Sequence, residues 1–190
     1  MASTKGNLEV LFEDNHLIII NKKSGDIVQG DKTGDTPLSD IVKEYIKEKY
    51  NKPGNVFLGV AHRLDRPTTG IIVFARTSKA LERFNKMLRD KEVHKTYWAV
   101  VKNKPKDLQN TLIGYLRKNP KNNKSTSYSS EIEGGKKAIL HYKLLKSLDN
   151  YHLLEVDLET GRHHQIRCQL SAIGSPIKGD LKYGFDRSNK

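Results

Sequence analysis

The sequence predicts an α+β fold built on a largely antiparallel mixed sheet flanked by helices. Two observations carry this: short apolar segments recur in pairs across tight turns, and segments of helical periodicity lie between them. A third narrows it, because no repeat of roughly 20 to 50 residues is visible, which removes solenoids and propellers. The chain has 190 residues, within the range of about 100 to 200 for one ordinary domain, so a single domain over 1–190 is expected.

Leu8 to Phe12 and Leu17 to Ile20 are the first strand pair, joined by the turn-forming Glu13-Asp14-Asn15-His16. Gly25, Gly30 and Gly34 mark a loop-rich passage. Thr36 then reads as an N-cap with Pro37 at the first helical position, and Leu38, Ile41, Val42, Tyr45 and Ile46 follow at helical spacing as far as Tyr50. Val56 to Val60 and Ile71 to Ala75 are strand candidates, which makes the polar stretch 61–70 a loop between two rigid flanks, where chemistry is commonly placed. Ser78 is expected to cap a helix presenting Ala80, Leu81, Phe84, Met87 and Leu88, and Lys95 to Val101 alternates as a strand closed by Lys102 to Pro105. Residues 117–137, rich in Lys, Asn, Ser and Gly, form either an exposed hairpin arm or a mobile loop. Ala138 to Leu145 and Tyr151 to Leu158 are strands around Leu148-Asp149-Asn150, and His164 to Ile173 is a helix with Gly174 as its C-cap.

Composition bounds the function. Thirty-four Lys and Arg against 22 Asp and Glu give a formal charge of +12 and a pI near 9.6, which points to a polyanionic partner or an acidic surface. The single cysteine, Cys168, excludes an internal disulfide framework and a four-cysteine zinc site, and fits a reducing cytoplasm. The first residues carry no signal-peptide core, and the longest aliphatic run, Leu17 to Ile20, is far below the roughly 20 residues that span a bilayer. No heptad pattern is present, so a monomer is expected.

Three segments concentrate chemistry. In the 61–70 loop one carboxylate, Asp65, lies between Arg63 and Arg66 and close to His62, cations that favour its ionised form. By residue type alone this is equally a surface ion-pair cluster. Lys95 and Tyr97 sit two apart on one strand face. Gly161-Arg162-His163-His164-Gln165-Ile166-Arg167 gathers cations and amides at a helix start, a place suited to phosphate.

Taken together and in order, His62 to Gly70, Lys95-Thr96-Tyr97, Gly161 to Arg167 and Gly174 to Asp180 resemble the RluA-type RNA pseudouridine synthases over roughly residues 8 to 185. The resemblance implies that family's catalytic fold, with its active-site cleft across the sheet, and an isomerase that converts uridines of structured ribosomal or transfer RNA to pseudouridine without cofactor or metal. Under it Asp65 is the catalytic aspartate, acting on the ribose either as nucleophile or as base. Arg167 is the arginine that pairs with it, and Tyr97 stacks on the uracil near C5. Ile166 supplies an apolar wall, and Arg63 fills the stack that the uridine leaves. His62, Arg66, Lys95, Arg162 and Gln165 belong to the RNA-binding surroundings, while Arg162, Lys178, Lys182 and the lysines of 117–137 are candidates for backbone contacts.

This sequence departs from the family pattern at Thr69, at Lys23-Ser24 and at Gln169, where a histidine is usual. Family members also continue through a further strand and helix beyond Tyr183-Gly184, so either an incompletely covered core or a shortened chain is expected, with no separate N-terminal RNA-binding domain. Two other functions stay open: a non-catalytic RNA-binding or chaperone module on the same fold, and a metal-dependent nuclease, which the adjacent His163-His164 pair supports poorly because i, i+4 spacing is absent.

Overall fold

Period-two alternation of Leu17-Ile18-Ile19-Ile20 places Ile18 and Ile20 at zero exposure, and the strand they begin organises the first half of the chain. The computed structural model describes residues 2–31 and 33–186. It divides into two compact units, Met1–Glu92 and Val93–Lys190.

In the first unit, β1 (Val10–Glu13), β2 (Leu17–Lys22), β3 (Gly59–Val60) and β4 (Gly70–Ala75) form an antiparallel sheet in the order β1-β2-β4-β3. The predicted first turn is present: Asp14 Oδ1 accepts the N–H groups of His16 and Leu17, both at 2.7 Å. Helix α1 (Leu38–Lys49) lays Leu38, Val42 and Ile46 on Ile18, Ile20, Ile72 and Phe74. Its start differs from the Thr36 cap expected. Pro37 is the cap residue, because the carbonyls of Ile27 and Val28 accept the N–H groups of Leu38 (2.7 Å) and Ser39 (3.2 Å) and leave a side-chain cap little to do. Helix α2 (Ser78–Arg89) starts one residue earlier than a Ser78 cap requires, since Thr77 Oγ1 accepts from Ala80 N at 3.1 Å. Only Gly59–Val60 of the Val56 to Val60 segment is strand; Val56 and Leu58 turn their side chains to the core instead.

In the second unit β5 (Thr96–Val101), β6 (Gln109–Asn119), β7 (Lys124–Tyr128), β8 (Lys136–Ser147) and β9 (His152–Leu158) form a five-stranded antiparallel sheet, ordered β5-β9-β8-β6-β7. Ala99, Val101, Leu140, Leu154, Val156 and Leu170 make its core. Residues 117–137 resolve into the hairpin alternative, with Asn119 opposite Lys124 at the β6–β7 tip. Helix α3 (Gln165–Ala172) begins after His164, whose φ of 53° is left-handed and so outside the helix, and a 3-10 turn follows at Leu181–Tyr183. The α+β class and the antiparallel pairing are therefore as expected, expressed as two sheets.

Candidate active-site residues

Asp65 is half-buried on the loop that leads into β4, and nearly every fixed point of that loop is a backbone carbonyl. Lys22, at the end of β2, is 1% exposed, and its Nζ donates to the carbonyls of Lys23 (3.1 Å), Arg66 (3.0 Å) and Thr68 (2.7 Å). Burial lowers the Lys22 pKa from its ordinary value, opposed by the negative charges of Asp26 and Asp65. The Arg66 carbonyl also accepts from Gly25 N at 2.9 Å, where a φ of 98° favours glycine. Thr68 N donates to the Asp65 carbonyl at 3.0 Å, closing a turn around the carboxylate, and Leu64 packs on the core below. A buried ammonium with three carbonyl partners is a strong clamp, because each partner would be costly to leave bare.

His62 is part of this frame. Its Nε2 accepts the N–H of Val73 at 3.0 Å, which leaves Nε2 without a proton in this structure, and its ring tilts against Phe84 at 6.2 Å. Arg66 is exposed and its guanidinium pairs with Asp35, while Arg63 is exposed at the loop surface. Of the four residues of this loop named above, Asp65 and Arg63 have the chemistry of a site, and His62 and Arg66 hold the loop.

Within the second unit the alternation of β5 places Lys95, Tyr97 and Ala99 on one face, as the spacing predicts, and Thr96, Trp98 and Val100 on the other. Tyr97 and Ile166 both pack at the border of the same core cluster. Lys95 is half-buried, and burial lowers its pKa. Arg167 is held from two sides. Its Nε and Nη2 donate to Asp180 Oδ2 (2.6 Å) and Oδ1 (2.8 Å), and its guanidinium lies 5.0 Å from the centre of the Tyr183 ring. Gln165 is 3% exposed, and its amide serves the protein: Oε1 accepts from Arg162 N (2.9 Å) and Thr160 Oγ1 (2.8 Å), and Nε2 donates to the Ile139 carbonyl (3.0 Å). It sets the path of 160–165, and Arg162 remains exposed at the surface.

Two functional supports were not foreseen from the sequence. One is Lys22, although the phase set by Ile18 and Ile20 puts residue 22 on the inward face, a signal that was available. The other is Tyr183, 3% exposed, whose hydroxyl accepts from Ser125 N at 2.8 Å and meets His164 Nδ1 at 2.9 Å. Ser125 Oγ in turn donates to the His163 carbonyl at 2.8 Å, so β7 and the start of α3 are tied around one phenol.

The antiparallel α+β units carry the Asp65 loop, the Tyr97 strand and the Arg167 helix in this order. The chain belongs to the RNA pseudouridylate synthase family, whose model matches residues 16–172. It is 34% identical over 177 residues to an uncharacterized RNA pseudouridine synthase of Synechocystis sp., covering 93% of this chain and 54% of that protein. It is 37% identical to ribosomal large subunit pseudouridine synthase C of Rickettsia felis, over 92% of this chain and 55% of that one, and 34% identical to ribosomal large subunit pseudouridine synthase D of Zymomonas mobilis, over 96% and 57%. The chain thus spans little more than half the length of these relatives. Among solved structures, human RNA pseudouridylate synthase domain containing 4 superposes with a TM-score of 0.79 at 26% identity, covering 94% of this chain and 70% of that one. No helix among the described residues is long and apolar enough to cross a membrane.

Proposed function

We propose that this chain isomerises uridine to pseudouridine in structured RNA. The observation that carries the reading is Asp65 on a loop pinned by a buried lysine, in a chain of this family. The N1–C1′ bond breaks, the uracil turns, the C5–C1′ bond forms, C5 loses its hydrogen and N1 takes up a proton. Atoms and electrons balance without redox partner, nucleotide or metal. Asp65 acts on the ribose as nucleophile or base, and either role needs an ionised carboxylate held still. Tyr97, with its ring set by β5, stacks on the uracil, and Ile166 bounds the same base. Arg167, aligned by Asp180, is the fixed cation of the reaction. Extruding the uridine costs a few kcal/mol, and Arg63 offsets part of this by occupying its place. Lys95 and Arg162 serve RNA contacts, while His62, Arg66 and Gln165 contribute by shaping the loops that bear them.

Ribosomal RNA is the substrate class we favour, since two relatives are named for the large ribosomal subunit; transfer RNA is the other candidate. We take the working form to be a cytoplasmic monomer, with both units required for turnover.

Tritium release from RNA labelled at uridine C5 tests the proposal. The chain should release tritium, and Asp65→Asn should lose on the order of 10³-fold in rate. Full activity in that variant would overturn the role of Asp65. Salt-sensitive RNA binding with no isomerised uridine would overturn the enzymatic reading and leave a non-catalytic RNA-binding module.

A further inference from the structure

Among the described residues of the second unit two lysines are half-buried, Lys95 and Lys124. Lys124 Nζ lies 5.2 Å from the centre of the Tyr183 ring. Lys95 has no hydrogen bond from its ammonium, no ion pair and no ring contact among the described residues, and burial alone lowers its pKa, with no neighbouring charge opposing.

The position of Lys95 is nonetheless fixed. Its carbonyl accepts the N–H of Leu158 at 3.1 Å, which carries the β5–β9 ladder one step beyond the pair Thr96 and Asp157. The side chain lies against the turn that follows β9, since a Cβ added to Gly161 would stand 3.8 Å from Lys95 Nζ. Gln165 sets the path of that turn through Thr160 Oγ1 and Arg162 N. An ammonium drawn partly out of water with nothing to offset the cost weakens the resting protein, and an apolar side chain of similar length would suit the place better. Such a charge gains its partner only when an anion arrives, or when one forms during the reaction.

We propose that Lys95 is a catalytic residue, donating a hydrogen bond to a carbonyl oxygen of the departing uracil and so holding the negative charge that develops on the base. This rests on the proposed function and makes the RNA contact of Lys95 a contact with the reacting base. Whichever role Asp65 takes, the electron pair of the N1–C1′ bond leaves with N1. The freed uracil is then an anion whose charge is shared with its carbonyl oxygens, until the C5–C1′ bond forms, C5 gives up its proton and N1 takes one. Lys95 and Tyr97 stand two apart on one strand face, about 7 Å between Cα atoms, so a base stacked on the Tyr97 ring lies within reach of an extended lysine. A phosphate is the other anion that RNA brings. Its charge is the same before and during the reaction, so a contact to it aids binding and not the chemical step.

Single-turnover tritium release and filter binding, on one structured ribosomal RNA fragment labelled at uridine C5, separate the two. At saturating protein Lys95→Met should lose on the order of 100-fold in rate, with RNA affinity within about 2-fold of the parent. Weaker binding with an unchanged saturated rate would overturn the proposal in favour of a phosphate contact. In RNA carrying 5-fluorouridine the fluorine withdraws electron density and stabilises the uracil anion unaided. Consumption of that nucleoside, followed by chromatography of digested RNA, should therefore slow by less than about 10-fold in Lys95→Met, whereas equal losses on the two RNAs would show that Lys95 does not act on the leaving base. The variant should also unfold at no lower urea concentration than the parent; a lower midpoint would assign Lys95 to the fold instead. Tritium release by the parent is the reference throughout. Its absence would overturn the proposed function, and its presence with an equally fast Lys95→Met would overturn the role of Lys95 alone.

Discussion

Lys22 and Lys118 carry the same ammonium and do opposite work. The first is 1% exposed, has burial against it, and satisfies three carbonyls that would otherwise face the interior; the second stands in solvent on a hairpin strand. The difference generalises to the two units. Met1–Glu92 pairs Lys5, Lys43, Lys49, Lys86 and Arg66 with carboxylates and buries Lys22, whose carbonyl contacts pin the loop that carries Asp65. Val93–Lys190 pairs Lys102 with Asp186 and Arg167 with Asp180, and orients Arg117, Arg162 and Lys182 through phenol and carbonyl acceptors. What the contrast teaches is that net charge says where a polyanion is attracted, while the partner of each cation says whether that cation is structure or surface.

The contrast can be broken most directly at Lys22. Lys22→Met should destabilise the first unit by about 3 kcal/mol, because buried carbonyls lose their donor. Lys118→Met should stay within about 0.5 kcal/mol. Urea unfolding of both variants measures this, and equal midpoints would erase the distinction between them. Next in size is Asp180→Asn, which replaces a charge-assisted bidentate pair, 9% exposed on the aspartate side, with one neutral acceptor and costs about 2 kcal/mol. Its tritium-release rate should fall with stability; an unchanged rate would mean that Arg167 is aligned by other groups.

A smaller effect is expected at Gly25, whose φ of 98° an alanine adopts at a cost of about 1 kcal/mol. Because Gly25 N–H and Lys22 Nζ share the Arg66 carbonyl, Gly25→Ala combined with Lys22→Met should cost less than the sum of the two single effects. Strict additivity in the double-mutant cycle would show that the two contacts are independent.

The mildest test lies in the second unit. Burial pushes the Cys168 thiol up to about 11, with the charge of Lys124 opposing. The folded pKa lies above the ordinary value of 9.0, so this group's stabilisation is fully present below pH 9 and is lost as pH rises from 9 towards 11. At pH 8 the native thiol should react with a disulfide reagent at least roughly 100-fold more slowly than the unfolded chain, from the two-unit difference alone. Equal rates would place Cys168 outside the core cluster that it shares with Leu116, Ala138 and Tyr183.

Much of the fold was legible because it is encoded over short windows. The apolar spacing of Leu38, Val42 and Ile46 is one helix face, and Asp14 before His16 and Leu17 is one turn, each readable without knowing anything distant. The candidate site was legible as three ordered segments, and β5 keeps Lys95 and Tyr97 on one face as the alternation requires. The cap of α1 was misplaced for a tertiary reason. Thr36 lost its capping role because the carbonyls of Ile27 and Val28, each eleven residues before the N–H it accepts, reach the helix start first.

By itself the sequence determined the α+β class, the periodicity of the helices and hairpins, the order of the Asp65, Tyr97 and Arg167 segments, and the excess of positive charge. The tertiary structure decided which cations are free to act. Lys22 meets its acceptors 44 and 46 residues away, Arg162 its own 25 away, and Lys182 nearly 60 away. No local window contains both ends of such a bond, because a lysine's chemistry is intrinsic but its partner is chosen by strand register and loop path.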